Sequence, residues 1–154
     1  MTTTAYDPQA LARSRPAQPR KPMQKTVEDV AAAAGVLDKF KAAVAGDDTF
    51  YLKARVTGYM PLVIEVIPGE TGPEVSVCHY YIENGDLMRD PEYVFETRNW
   101  RPIEYTQDNL GLYHRARHGY YLGGGAIEFC GIWARNIREQ GFADRKKAAY
   151  KTEA

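Results

Sequence analysis

Residues 79–96, HYYIENGDLMRDPEYVFE, leave the backbone few choices. An alternating aromatic segment runs into Asn84-Gly85, and a second extended segment returns through Asp90-Pro91-Glu92. Asn-Gly between two such segments marks a two-residue hairpin, because both residues reach positive φ at little cost. The ribbon puts aromatics on one face and carboxylates at the turn and on the return. A chain that folds back in this way builds an antiparallel sheet.

The flanking sequence extends that sheet. Phe50, Leu52, Ala54 and Val56 alternate with Tyr51, Lys53, Arg55 and Thr57, a clean period of two. Residues 62–67 form a short β-branched run, and residues 74–83, 93–97 and 102–106 read as three more strands. Residues 107–125 are less regular; Tyr113, Tyr120, Tyr121 and Leu122 add a strand or pack as a long loop, and Gly123-Gly124-Gly125 breaks the chain. A helix is expected over 27–45, opened by Thr26 with Asp29 and stopped at Gly46. A second is expected over 126–140, with Ile127, Cys130, Trp133, Ala134 and Ile137 inward and Phe142 folding back past Gly141. The order α-β-β-β-β-β-α predicts an α+β fold: an antiparallel sheet of about five strands, with an N-terminal and a C-terminal helix on one face.

At 154 residues, with 44% apolar and 26% charged residues, the chain suits one globular domain. Residues 1–25 hold four prolines and five bases, and are expected to be a disordered basic tail. The α+β domain is expected over 26–142, followed by a basic tail over 143–154 that extends the helix or frays. The domain between the tails is acidic, which disfavours nucleic-acid phosphate unless its few bases cluster. No apolar run is long enough to span a bilayer, so no membrane association is expected. Cys78 and Cys130 lie in apolar contexts and read as buried thiols of a reducing cytoplasm.

Asp86, Asp90, Glu92 and Asp108 are the carboxylates suited to acid–base or divalent-metal chemistry, and Asp90 and Glu92, two apart, share one side of a regular strand. Against this, Asp before Pro and Asp after Asn-Gly are ordinary turn chemistry. His114 and His118 lie four apart but lack a third ligand and are flanked by Arg115 and Arg117. The glycine run precedes a helix without the Lys-Ser/Thr of a phosphate loop, and no serine sits in a nucleophile elbow. No catalytic residue, metal or cofactor is assigned.

Tyr80-Tyr81, Asn84-Gly85-Asp86, Met88-Arg89-Asp90-Pro91-Glu92 and Phe95 form a block that resembles a family of uncharacterised small proteins from bacterial phages, plasmids and conjugative elements. Pro102-Ile103-Glu104-Tyr105, Asp108 and Tyr113 resemble its second block, and Trp133, Asn136-Ile137 and Gln140-Gly141-Phe142 its closing helix. Tyr93 stands where methionine is more frequent, and residues 115–125 depart from the pattern. The resemblance implies a genomic setting and carries no catalytic residues.

The reading that follows is a non-enzymatic accessory protein of a mobile element that binds a protein partner, inhibition of a host defence component being one form. Its binding set is Tyr80, Tyr81, Asn84, Asp86, Arg89, Asp90, Glu92, Tyr93, Tyr105, Asp108 and Tyr113. Tyrosine with arginine suits protein-binding surfaces, and aromatics equally suit cross-strand packing. Two other readings stay open. One is a nucleic-acid-binding factor using the basic tails with Arg98, Arg101, Arg115 and Arg117. The other is a carboxylate-dependent enzyme. The oligomeric state is left open.

Overall fold

The computed structural model describes residues 21–116 and 122–153. The expected α+β architecture with an antiparallel sheet is present, but among the described residues the sheet has seven strands and three helices accompany it. The first is α1 (Pro22–Ala33), whose Pro22 sits in the first turn, where its missing N–H costs nothing. Met23, Thr26, Val27, Val30 and Ala31 form its buried stripe at helical spacing. Thr26 is therefore not the cap that the sequence suggests. It faces the last helix.

The single helix expected over 27–45 is in fact two, α1 and α2 (Leu37–Val44). Gly35 adopts φ 77°, and the Val36 N–H reaches back to the Ala31 carbonyl at 2.9 Å. That left-handed residue closes α1 and turns the chain, a role Gly fills without a Cβ penalty. The apolar spacing runs unbroken through this point, so periodicity alone does not reveal the break.

Four strands follow as a meander: β1 (Phe50–Val56), β2 (Leu62–Gly69), β3 (Gly72–Glu83) and β4 (Asp86–Glu96). The meander continues through β5 (Pro102–Gln107), a 3-10 turn (Asp108–Leu110) and β6 (Leu112–Arg115). The last helix is α3 (Gly124–Glu139) and the last strand β7 (Ala148–Lys151). The sheet order is β6-β5-β4-β3-β2-β1-β7, and every pairing is antiparallel. Two additions account for the seven strands. β6 comes from the irregular stretch and contains Tyr113; Tyr120 and Tyr121 lie outside the described residues. β7 comes from the segment expected to extend the helix or fray. It pairs with β1, and the Tyr150 hydroxyl donates to the Phe142 carbonyl at 2.7 Å.

The helices share one core with one side of the sheet. Leu52, Leu62, Ile64, Val75, Val77, Tyr93 and Phe95 are fully buried there together with Val27, Val30, Phe40 and Ile137. On α3, Cys130, Trp133, Ala134 and Ile137 are buried as expected, whereas Ile127 is 51% exposed. Phe142 folds back into the core after Gly141 at φ 98°, its N–H bonding the Ile137 carbonyl. Thr26 Oγ1 donates to the Ala134 carbonyl and accepts from Arg138 Nε, which joins α1 to α3. No helix among the described residues is long and apolar enough to cross a membrane.

Candidate functional site

The hairpin that dominates the sequence also dominates the surface. Asn84 and Gly85 take φ 52° and 83°, both positive, and Glu83 pairs with Asp86 across the two-residue turn. The hairpin outgrows its neighbours. β2 pairs with β3 only as far as His79, and β5 pairs with β4 only from Glu92. Among the described residues, Tyr80–Arg89, Tyr81–Met88, Ile82–Leu87 and Glu83–Asp86 therefore form a two-stranded arm beyond the sheet. Ile82 and Leu87, opposite each other, are 60% and 55% exposed. Tyr80 lies two residues from Ile82 on the same side, and Lys53 Nζ sits 5.2 Å from its ring centre. Tyr80 and Tyr81 are half-buried, and Asn84 and Asp86 are exposed at the tip.

A bulge at the root of the arm determines which side its charges take. Cys78 pairs with Glu92 and Tyr80 with Arg89, so β4 fits one residue more than β3 over this step. The extra residue falls at Asp90-Pro91, where Pro91 has no N–H to offer the ladder and the peptide bond is cis. In an unbroken strand Arg89 and Glu92 would face opposite sides. The bulge brings them to the same side, and Arg89 Nη1 reaches Glu92 Oε1 at 3.3 Å. It also separates Asp90 from Glu92, against the expectation that they share a side. Asp90 accepts from Gln107 Nε2 at 2.9 Å, and Gln107 in turn accepts from the Tyr105 hydroxyl. Glu92 instead accepts from Ser76 Oγ at 2.7 Å on the side away from the helices.

Asp108 clamps the arm to the sheet. Its carboxylate accepts from the Arg89 backbone N–H at 2.8 Å, from Nε at 3.0 Å and from Nη2 at 3.2 Å. The Tyr113 hydroxyl adds a fourth bond at 3.0 Å. Hydrogen bonds from Arg89, foremost among the causes, hold the Asp108 carboxyl down at about 2. The neighbouring Glu65 is pushed the other way, first by burial and then by the charge of Glu92. Arg89, Glu92, Asp108 and Tyr113 are thus gathered at one place, with Ser76, which the sequence does not single out.

Other expected site residues lie elsewhere. Tyr93 is a correction: its ring is fully buried against Trp133, Tyr105 and Phe95, and its hydroxyl donates to the Ala126 carbonyl at 2.8 Å. An aromatic on the helix side of a central strand packs into the core, and Tyr93 has no exposed surface. Tyr105 is half-buried beside it. Arg115 is engaged by Glu104 at 2.8 Å and Glu70 at 3.8 Å, so its charge is largely answered within the chain. Arg117 and His118 lie outside the described residues.

Ile82 and Leu87 were missed by sequence reasoning. Their signal is apolar residues two positions either side of Asn84-Gly85, in a hairpin longer than the strands beside it.

The reactive side chains are quiet. Cys78 and Cys130 are free and buried, and burial raises both thiols, Cys130 to about 12. His79 is buried against Trp133 and Phe142, 3.1 Å from the Pro61 carbonyl, and burial lowers its pKa. Among the described residues, no group of three or more His, Cys, Asp and Glu side chains is arranged to hold a metal ion.

No curated protein and no solved structure matches the chain. A family profile does match, over residues 25–143, the region that contains most of α1, the other two helices, the first six strands, the hairpin arm and its clamp. The chain belongs to that family, described as Domain of unknown function (DUF6908).

Proposed function

We propose that the chain works by binding a protein partner through the outer side of the projecting hairpin. The observation that supports this is the Ile82–Leu87 pair, set in water at the end of a clamped arm. A two-stranded ribbon is marginal on its own, and exposed apolar pairs cost solubility. Here Asp108 and Arg89 hold the arm rigid at its root, so less ordering is required when a partner docks. Tyr80, Ile82 and Leu87 provide the apolar contact. Glu83 and Asp86 at the tip favour a partner with a basic rim. The arrangement requires no reactive group. The resemblance of the hairpin block points to an accessory protein of a mobile element, with a host defence component as one partner class.

The test is capture from a bacterial host lysate with the wild-type chain and with Leu87→Glu. Because Leu87 is exposed, the variant should keep its stability within about 0.5 kcal/mol. A stoichiometric protein recovered by the wild type and lost with the variant supports the reading. Equal recovery by both, or recovery of none, overturns it.

A further inference from the structure

A second surface lies along the β1–β7 edge of the sheet, built by residues almost a hundred positions apart. A cleft of about 450 Å³ opens between the β1–β2 turn and the start of β7, lined by Arg55, Thr57, Tyr59, Lys146 and Lys147. Its cations continue beyond the cleft. On β1, Lys53 and Arg55 alternate with the buried Leu52, Ala54 and Val56, so both face the side of the sheet away from the helices. Lys151 pairs with Lys53 across the β1–β7 ladder and shares that side. Lys146 and Lys147, Arg55, and then Lys53 with Lys151 therefore form one basic stripe. Asp144 lies beside it in sequence, and its carboxylate accepts from the Lys146 backbone N–H at 2.9 Å.

Several details suit this stripe to an anion. Among the described residues, Arg55, Lys146, Lys147 and Lys151 form no ion pair, whereas Arg89, Arg115 and Arg138 all do. Lys53 and Lys151 stand directly opposite each other, and like charges so placed cost stability unless a negative group lies between them. The stem of Lys147 passes close over Gly141: a Cβ there would stand 2.7 Å from Lys147 Cδ and 3.1 Å from its Cβ. The Lys147 N–H also bonds the Asp144 carbonyl at 3.0 Å, so the base of this side chain is in place before a ligand arrives. Tyr59 rests on Phe142 with ring centres 6.4 Å apart, yet is 49% exposed beside the cleft. An exposed aromatic next to unpaired cations is a platform on which a nucleobase stacks.

We propose that this stripe binds a single-stranded nucleic acid, with its phosphates along Lys147, Arg55 and Lys151 and a base on Tyr59. An acidic domain takes up phosphate only where its bases cluster, and β7 makes the cluster by laying its lysine beside those of β1. The exposed ring favours a base-bearing strand over an acidic peptide. The probe is a labelled oligothymidine, read by fluorescence anisotropy with the full chain across a salt series. Binding should saturate at low salt and weaken steeply as salt rises. Arg55→Gln and Lys147→Gln should each make the logarithmic salt slope shallower by about 0.7, the share of one phosphate on a single strand. Tyr59→Ala should weaken binding about tenfold without changing the slope, and Tyr59→Phe should retain it. Lys41→Gln removes an exposed cation from α2 and should leave the slope as it is. Should Tyr59→Ala fail to fold, the slopes of the two glutamine variants, both at exposed positions, carry the test. No saturable binding at low salt, equal affinity for poly-glutamate, or a folded Tyr59→Ala variant that binds like the parent overturns the proposal. So does a slope unchanged in both glutamine variants, which would assign the binding to bases elsewhere in the chain.

Discussion

Arg89 and Asp108 show how one pair of side chains sets the use of a whole hairpin. Asp108 accepts a backbone and two guanidinium bonds from Arg89, and those bonds depress its carboxyl to about 2. The folded state therefore holds Asp108 ionised more strongly than the unfolded chain does. Stability from this source is complete above the ordinary carboxylate value of 3.8 and falls away as pH drops toward about 2. Asp108→Asn should lower unfolding free energy by about 1–2 kcal/mol near neutral pH, moderated by the partly exposed guanidinium. It should also flatten the acid limb between pH 4 and 2, as read by denaturant melts across pH. An unchanged acid limb would show that the clamp is not the group titrating there.

At the scale of elements, β7 is the addition with the clearest consequence. Ala148 to Lys151 cover the edge of β1 and are tied back by Tyr150 to Phe142. Without them, β1 presents an open row of N–H and C=O groups, which invites pairing with another chain. A chain ending at Lys147 should melt at lower temperature and form concentration-dependent oligomers, seen by thermal unfolding and size-exclusion chromatography. Tyr150→Phe should cost only about 1 kcal/mol and stay monodisperse to the same degree as the parent. The helix break at Gly35 illustrates the same point on the other layer. Residues 27–45 carry one continuous apolar spacing, yet α1 and α2 pack as separate pieces because one left-handed residue turns the chain.

Across the whole molecule, the core and the arm should differ in protection. Leu52, Ile64, Val77 and Phe95 lie in strands paired on both sides and covered by helices. Residues 80–89 pair only within the arm among the described residues, and β6 is exposed along its length. Hydrogen exchange followed by mass spectrometry should find slowest exchange in β1–β4 up to His79 and from Glu92, and fast exchange in the arm and β6. Equal protection of the arm and the core would contradict a projecting hairpin. By itself the sequence determined the features carried by local periods and turn chemistry: the Asn84-Gly85 hairpin, the alternation of β1, the inner face of α3 and the return of Phe142 after Gly141. Each depends on residues a few positions apart, whose geometry any short segment carries with it. Only the tertiary structure decided that Asp90 and Glu92 part company, that Tyr93 is core, that Ile82 and Leu87 stand in water, and that the last residues close the sheet. Those outcomes depend on a bulge, on how far neighbouring strands extend, and on an edge left by a strand almost a hundred residues earlier. No local pattern records such distances.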